Sequence, residues 1–368
     1  MKTADIIIIG GGIAGIGAAA RLSPEASVII LEMEDAAGRH ASGRSAAIFI
    51  RNYGNATLRA LNAASEPTFL EPEGISESSL LSQRGELMVA NEAGLDDLNA
   101  YLTGSDGLER ISAAEAVKLF PLLRQDWVVE AAYEQSAQDI DADRLLQGCL
   151  KLARRNGAEF IPKAPVTAMK RANGIWQVET PKGQFTAPIV INAAGAWADQ
   201  IAGLAGMLPV GLSALRRSAA IVSPPCSDDI SSWPLLVSAA EDWYVKPDAG
   251  KFMVSPADED PVEAQDAWPE DMVLAEGIYR AEQAVDLQVT RIEHSWAGLR
   301  TFAPDRTPVV GFSPEQDGFF WLAGQGGYGV QTAPALSQLT ADLCLHRTSL
   351  LSAAVLEALD PGRFLQST

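Results

Sequence analysis

Three glycines and one acid carry the first chemistry this chain can do. Gly10, Gly12 and Gly15 stand in the spacing G-x-G-x-x-G, and Glu32 follows roughly 20 positions on. The first glycine permits a tight turn, the second lets a pyrophosphate approach the backbone, and the third lets a helix press on a strand. Glu32, followed by Met33, can accept hydrogen bonds from a ribose. A helix starting at Ile13 and Ala14 would add amides and partial positive charge for the phosphates. A second glycine-rich turn, Gly324-Gln325-Gly326-Gly327-Tyr328-Gly329-Val330-Gln331, runs into an apolar helix, Thr332–Cys344. Two such turns so far apart in sequence imply a long ligand contacted at both ends.

The elements that must position these residues can be read from the pattern around them. The isoleucines Ile6 to Ile9 do not alternate with polar residues, so both faces of this strand are buried, as in a central parallel strand. Small residues give the following helix a face that fits closely on a sheet, and the apolar run Val28–Leu31 forms the next strand. Lys2 before an apolar run imitates a signal peptide or a membrane span, but the glycines, Arg21 and Pro24 argue against both. Residues 36–47, AAGRHASGRSAA, form a loop leading into a helix-compatible stretch, Ser45–Ala47. By itself it reads as solvated; behind the fingerprint, Gly43, Arg44, Ser45, Ala46 and Ala47 read as further phosphate donors.

Further along, the spacing predicts a helix over 58–70, broken near Pro67 and Pro72, and a strand over 80–90. Glu86 lies in that strand among Leu87, Met88 and Val89. Spacing alone favours an outward residue on an edge strand over a buried, paired carboxylate. Ser112 and Glu115 form a capping box for a short helix before Pro121. Asp139–Asp143 caps the helix Arg144–Arg155, which ends at Asn156-Gly157. A strand at 159–161, a meander over 166–185 and the buried strand Ile189–Ile191 follow. The last runs into Asn192-Ala193-Ala194-Gly195-Ala196-Trp197, where a nucleotide would be crowded from its other side, and a helix begins near 199. From 209 to 295 helical patterns thin out and alternating stretches predict an antiparallel sheet.

The expected fold class is α/β: a discontinuous Rossmann-type nucleotide domain over 1–84, 138–205 and 296–368. A second α+β substrate domain, built on a mixed, largely antiparallel sheet, takes 85–137 and 206–295. At 368 residues and 47% apolar content there is enough chain for both cores. The net charge of −19 disfavours nucleic acid and anionic lipid as partners. Three widely spaced cysteines without C-x-x-C read as reduced thiols in a cytosolic protein, and no cysteine or histidine pair has metal-ligand spacing. No transmembrane segment is expected; peripheral attachment to a membrane is the alternative to a purely cytoplasmic location.

These stretches occur in the order typical of the FAD-dependent amine and D-amino-acid oxidoreductases, the enzymes similar to D-amino-acid oxidase, sarcosine oxidase and glycine oxidase. The resemblance covers essentially the whole chain. Through GRSAA, RRSA (216–219), WPLLVS (233–238), YVKPDAG (244–250) and AGLRTF (297–302), the chain most resembles the bacterial D-arginine dehydrogenases. The resemblance implies non-covalent FAD, with Val166, Ala194, Gly195, Trp197, Gly298 and Arg300 joining the two glycine-rich turns in holding it. From the second turn it implies Gly326, Gly327, Tyr328, Gly329, Val330 and Gln331. It further implies that Arg217 and Arg300 clamp a substrate carboxylate, bidentate work that suits a planar fork of donors. Tyr53 and Tyr244 would line the substrate, Gly327 and Gln331 would lie near its amine, and Glu86 would meet a cationic side chain, against the outward reading from spacing. One position departs: Ile48 stands where a histidine lies beside the substrate.

The implied reaction is oxidative deamination of D-amino acids with basic or apolar side chains. A hydride passes from Cα to flavin N5, the imino acid hydrolyses to a 2-oxo acid and ammonia, and oxygen, a quinone or a carrier takes the electrons. Ile48 pulls the preference toward less polar substrates and Glu86 toward basic ones. The rival enzymes are a secondary-amine oxidoreductase of the sarcosine or glycine type and a 2-hydroxyacid oxidoreductase. The rival outside catalysis is a flavin-binding redox sensor. A NAD-dependent dehydrogenase would share the fingerprint but not the second turn.

Overall fold

The isoleucine run is a strand, Ile6–Ile9, buried along its whole length in the middle of a six-stranded sheet. A computed structural model describes residues 1–364. The sheet order is Glu159–Ile161, Val28–Leu31, Ile6–Ile9, Ile189–Asn192, Phe319–Ala323 and Val309–Phe312, and only the last pairing is antiparallel. Ile6 and Ile8 pack into a core shared with the helices Ile13–Leu22, Ala142–Arg155 and Gly329–Cys344. Ile7 and Ile9 face the opposite core, filled by Met169, Trp176, Val178 and Phe185 of the antiparallel meander Ala168–Ala187. Apolar layers on both sides explain the missing alternation.

The small-residue face of the first helix is a steric requirement. A β-carbon on Gly15 would lie 2.0 Å from the Gly10 carbonyl oxygen, and one on Gly17 would lie 2.3 Å from Ser337 Oγ. The helix therefore presses on the strand before it and on the C-terminal helix beside it.

The second layer is a ten-stranded sheet. Its order is Gln325–Gly326, His294–Phe302, Ser213–Val222, Lys251–Ser255, Tyr244–Asp248, Leu235–Ser238, Glu86–Ala90, Glu130–Glu134 and Glu109–Ile111, with Asp260–Pro261 on the side of Ser213–Val222. All pairings are antiparallel except Leu235–Ser238 with Glu86–Ala90, so the sheet is mixed and largely antiparallel. A small sheet of Ile48–Phe49, Gln138–Ile140 and Leu81–Gln83 follows the GRSAA loop.

Several expectations need correction. The return to the nucleotide-binding unit falls later than 296, because His294–Phe302 pairs along its whole length with Ser213–Val222. The helix Ala56–Leu70 continues through Pro67. Burial of Phe69 and a hydrogen bond from the Ala335 amide to Ser65 Oγ (3.1 Å) hold it against the C-terminal helix despite the missing proline donor. The strand over 80–90 is two strands, broken at Gly85, whose φ of +81° an L-residue rarely adopts. Ser45–Ala47 is not helical; a short 3₁₀ turn precedes it at Ala41–Arg44, and Ala47 sits at φ +51°. The C-terminal helix starts at Gly329 rather than Thr332. The helix Asp271–Ala284, within the stretch read as sheet, packs Leu274, Ile278, Ala281 and Ala284 on the larger sheet's core or buries them beside it.

Candidate active site

A cavity of about 490 Å³ runs from the first glycine turn to the face of the ten-stranded sheet. At its nucleotide end Gly10 has φ +113°, and a β-carbon there would lie 2.3 Å from the Ala193 carbonyl oxygen. Only glycine lets the turn and the 189–195 strand end meet so closely. Glu32 is buried, and its carboxylate accepts hydrogen bonds from the Gly11 amide and, at 2.8 Å, from the Glu34 amide. These bonds fix the acid at the strand end, where the cavity passes it.

Of the residues expected around a cofactor, Gly10, Gly12, Ile13, Ala14, Glu32 and Met33 line this cavity at one end. Arg44, Ser45, Ala46, Val166, Ala194, Gly195 and Trp197 line its middle. Gly298, Arg300, Gly326, Gly327, Gly329 and Val330 line the far part. Five others line neither this cavity nor the smaller one described below, and they act behind the wall. Gly15 sets the helix on its strand, and a β-carbon on Gly43 would meet the Gly38 carbonyl oxygen at 2.4 Å. Ala47 is the left-handed corner of its loop. Tyr328 packs its ring 4.8 Å from that of Tyr53 and 6.1 Å from that of Phe302. Gln331, expected near a substrate amine, is buried and accepts a hydrogen bond from the Ile50 amide (3.1 Å), tying the C-terminal helix to the strand after GRSAA.

Arg44 also differs from expectation. Its guanidinium donates to the carbonyls of Ala267 (3.0 Å) and Ala297 (2.8 Å) and pairs with Asp266, so its charge is used to fasten the loop to the larger sheet. The Trp296 indole N–H donates to the Arg44 carbonyl at 3.2 Å, completing that seam. The spacing reading missed Ser42, whose Oγ accepts from the Ile13 amide at 2.9 Å and lies beside Gly12. Its signal was present, a small hydroxyl residue in the same loop as Ser45. It also missed His40, whose ring lies tilted against that of Trp197 with centroids 4.8 Å apart and which is bonded to Glu34 at 2.9 Å.

A second cavity of about 80 Å³ adjoins the first and shares Ala46, Arg217, Tyr244 and Arg300 with it. Tyr53, Glu86 and Ile48 complete the set that sequence reading singled out, alongside Ile50, Met88 and Leu235. Four distant regions of chain are thus brought to one pocket. Arg217 donates from Nε to the Asp258 carbonyl (2.9 Å) and from Nη2 to Glu259 (3.2 Å), while Glu259 also pairs with Arg306 (2.9 Å). Burial, with the neighbouring Arg300 charge, lowers the Arg217 pKa from its ordinary value. A β-carbon on Gly327 would lie 2.9 Å from Arg300 Nη1, so the second glycine turn presses directly on that guanidinium. Two cations facing one small space, with a single shared carboxylate between them and Arg306, make a site for an anion.

On the wall of this pocket Glu86 is only 5% exposed, which corrects the outward reading. Tyr101 donates to it at 2.9 Å, and burial, reinforced by Glu134, pushes its pKa up to about 8. Lys246 is buried and also lines the pocket, and sequence reading passed over it. Its ammonium donates to the Ala46 carbonyl (2.8 Å) and to Asp139 (3.1 Å), which Arg84 also holds (2.6 Å). The signal was its position two residues after Tyr244, on the same face of one strand.

A long cavity floored by a Rossmann-type sheet, opening beside a pair of arginines, defines a dinucleotide-binding protein with an adjoining anion site. The chain belongs to the family of FAD dependent oxidoreductases, whose model matches residues 5–343. It is 25% identical over 362 residues to glycine oxidase of Geobacillus kaustophilus, covering 92% of each chain. It is 26% identical over 395 residues to human mitochondrial dimethylglycine dehydrogenase, covering 98% of this chain but only 44% of that one. The crystal structure of glycine oxidase from G. kaustophilus superimposes with a TM-score of 0.85 at 22% identity, over 96% of this chain and 98% of that one. L-proline dehydrogenase from P. horikoshii gives a TM-score of 0.84 at 22% identity, over 99% and 98%.

The protein is thus an FAD-dependent oxidoreductase, and its residues fit that cofactor. The Gly10–Gly12 cradle admits a pyrophosphate, and Glu32 stands where a ribose would reach it. Gln325, on the cavity wall, has a buried Nε2 without a partner among the described residues. Among the described residues no helix is long and apolar enough to cross a membrane.

Proposed function

We propose that this protein oxidises the C–N bond beside the carboxylate of a small amino acid, and that its substrates are D-amino acids with apolar or basic side chains. The observation that carries this reading is the convergence of Arg217 and Arg300 where the two cavities join, with Glu86 on the smaller cavity's wall. The arginines hold the carboxylate, and Tyr53 and Tyr244 bound the same space with hydroxyl donors. Held there, the substrate directs its side chain along Ile48, Ile50 and Met88 toward Glu86. FAD, when bound, supplies the acceptor for the hydride lost from Cα. The protein's share is to fix the carboxylate, exclude water from the apolar wall and admit the amine in its neutral form. The imino acid released is hydrolysed by water to a 2-oxo acid and ammonia. The arginine preference of the dehydrogenases this chain resembles is supported by Glu86 and opposed by Ile48.

A second reading, a secondary-amine substrate such as sarcosine, is favoured by the smallness of the inner cavity and by the names of the relatives. Anaerobic addition of D-Arg, D-Met, L-Arg, sarcosine and D-2-hydroxyglutarate to the FAD-loaded protein separates these readings. We expect the flavin absorbance to bleach with the two D-amino acids. Bleaching with sarcosine alone would establish the second reading, and bleaching with the hydroxy acid alone would overturn both.

A further inference from the structure

Glu86 has a neighbour that no part of the proposed chemistry uses. Glu134 is its cross-strand partner in the antiparallel ladder between Glu86–Ala90 and Glu130–Glu134, so the two side chains project from the same face of the sheet. Directly opposed residues place their β-carbons about 5 Å apart, where like charges repel. Glu134 is 1% exposed and lines neither cavity. The two carboxyls are held differently. Glu134 accepts from Asn52 Nδ2 (2.8 Å) and from Ser136 Oγ (3.1 Å), with the Arg51 amide as a further donor. Among the described residues, Glu86 accepts only from Tyr101.

The other elements packed on Glu86 do little to stabilise its charge. The parallel strand beside it presents Leu235, and the hairpin between Ser238 and Trp243 brings a third acid, Glu241, to the same cavity. Three cations also line the cavity: Lys246 is engaged by Asp139 and Ala46, Arg217 by Glu259 and Asp258, and Arg300 stands at the joint with the larger cavity. Burial raises both carboxyls of the pair, but hydrogen bonds counter it at Glu134 more than at Glu86. A close buried pair of this kind shares one proton over a wide pH range, and the member with more hydrogen-bond donors keeps the charge. Three donors to Glu134 against one to Glu86 favour the charge on Glu134 and the proton on Glu86.

We propose that Glu134 is a positioning residue for specificity: it decides whether Glu86 meets the substrate as a neutral acid or as a carboxylate, and so makes the choice between uncharged and cationic side chains depend on pH. This rests on the reading of the smaller cavity as an amino-acid side-chain pocket. With Glu86 protonated, the wall formed with Ile48, Ile50 and Met88 suits an uncharged side chain. Once Glu86 loses its proton, the same wall suits a guanidinium or ammonium.

The test is the ratio of kcat/KM for D-Arg to that for D-Met, measured from about pH 6 to about 9 with the FAD-loaded enzyme. Ionisation of the α-amine affects both substrates and largely cancels in the ratio, while the guanidinium stays charged throughout. The wild-type ratio should rise with pH as Glu86 ionises. Glu134→Gln removes the opposing charge and should move that rise to lower pH by about one unit. Tyr101→Phe removes the donor to Glu86 and should move it to higher pH, a shift opposite in sign that general loosening would not produce. A flat wild-type ratio, or the same midpoint in Glu134→Gln, overturns the proposal. A readout independent of turnover is the infrared C=O band of a protonated carboxyl, isolated by subtracting the Glu86→Gln spectrum. It should be present at neutral pH in the wild type and diminished in Glu134→Gln. If that band behaves as expected but no amino acid bleaches the flavin, the reaction assignment fails and the charge coupling survives; its absence at neutral pH sinks the coupling itself.

Discussion

Replacing Arg300 by lysine asks whether the arginine pair is a carboxylate clamp. Arg300 stands on the strand His294–Phe302 with Gly327 pressed against its guanidinium, and it faces the joint between the two cavities together with Arg217. A lysine keeps the positive charge but replaces a planar fork by a single point donor. Of two charge-assisted hydrogen bonds to a carboxylate, one is lost, and a bond to a charged group is worth about 1.5–3 kcal/mol. At 1.36 kcal/mol per factor of ten, kcat/KM should fall about 10- to 150-fold. The clamp acts on the ground state and the transition state alike, so most of the loss should appear in KM. The assay is steady-state turnover of a D-amino acid beside the amide of the same amino acid, which has no carboxylate to hold. The carboxylate form should suffer the full loss and the amide form little. Equal losses for the two, or an unchanged kcat/KM for the acid, would show that Arg300 does not hold a carboxylate.

Two further outcomes follow from the geometry. Gly10→Ala forces a side chain onto a φ of +113° and against the Ala193 carbonyl, so the turn or the neighbouring strand must shift. Thermal unfolding should show a loss of about 1–3 kcal/mol, and the purified protein should retain much less flavin than the wild type; full flavin content would contradict the cradle. Glu86 binds its proton more tightly folded (about 8) than unfolded (4.5), so the folded state carries the extra proton between these values. Its stabilising contribution is complete below the unfolded value and declines as pH rises toward the folded one. The melting temperature of Glu86→Gln should therefore fall less between about pH 5 and 8 than that of the wild type, and parallel profiles would place the titrating group elsewhere.

The nucleotide half of this protein is written in local sequence. An unbroken isoleucine run demands apolar layers on both faces, and glycines at Gly10 and Gly15 fit because the backbone atoms they meet come from the same short unit or its nearest partner strand. The capping box at Ser112 and the Asp141 cap are equally local, and both form. Glu86 was not legible in this way. An acid among apolar neighbours is compatible with an exposed edge until Leu235–Ser238 is known to add in parallel on one side and Glu130–Glu134 on the other, burying it. The same holds for Arg44, whose charge reads as a phosphate donor until the fold brings Asp266, Ala267 and Ala297 to it from more than 200 positions away. Pro67 ends a helix in isolation but not when Phe69 and Ser65 are anchored to the C-terminal helix. Most strands and turns are decided by neighbours a few residues apart and were legible in sequence, but the break at Gly85 and the helix Asp271–Ala284 were not. Whether a charge stays solvated, pairs, or is buried on a cavity wall depends on contacts across the whole chain, and only the tertiary structure decided that.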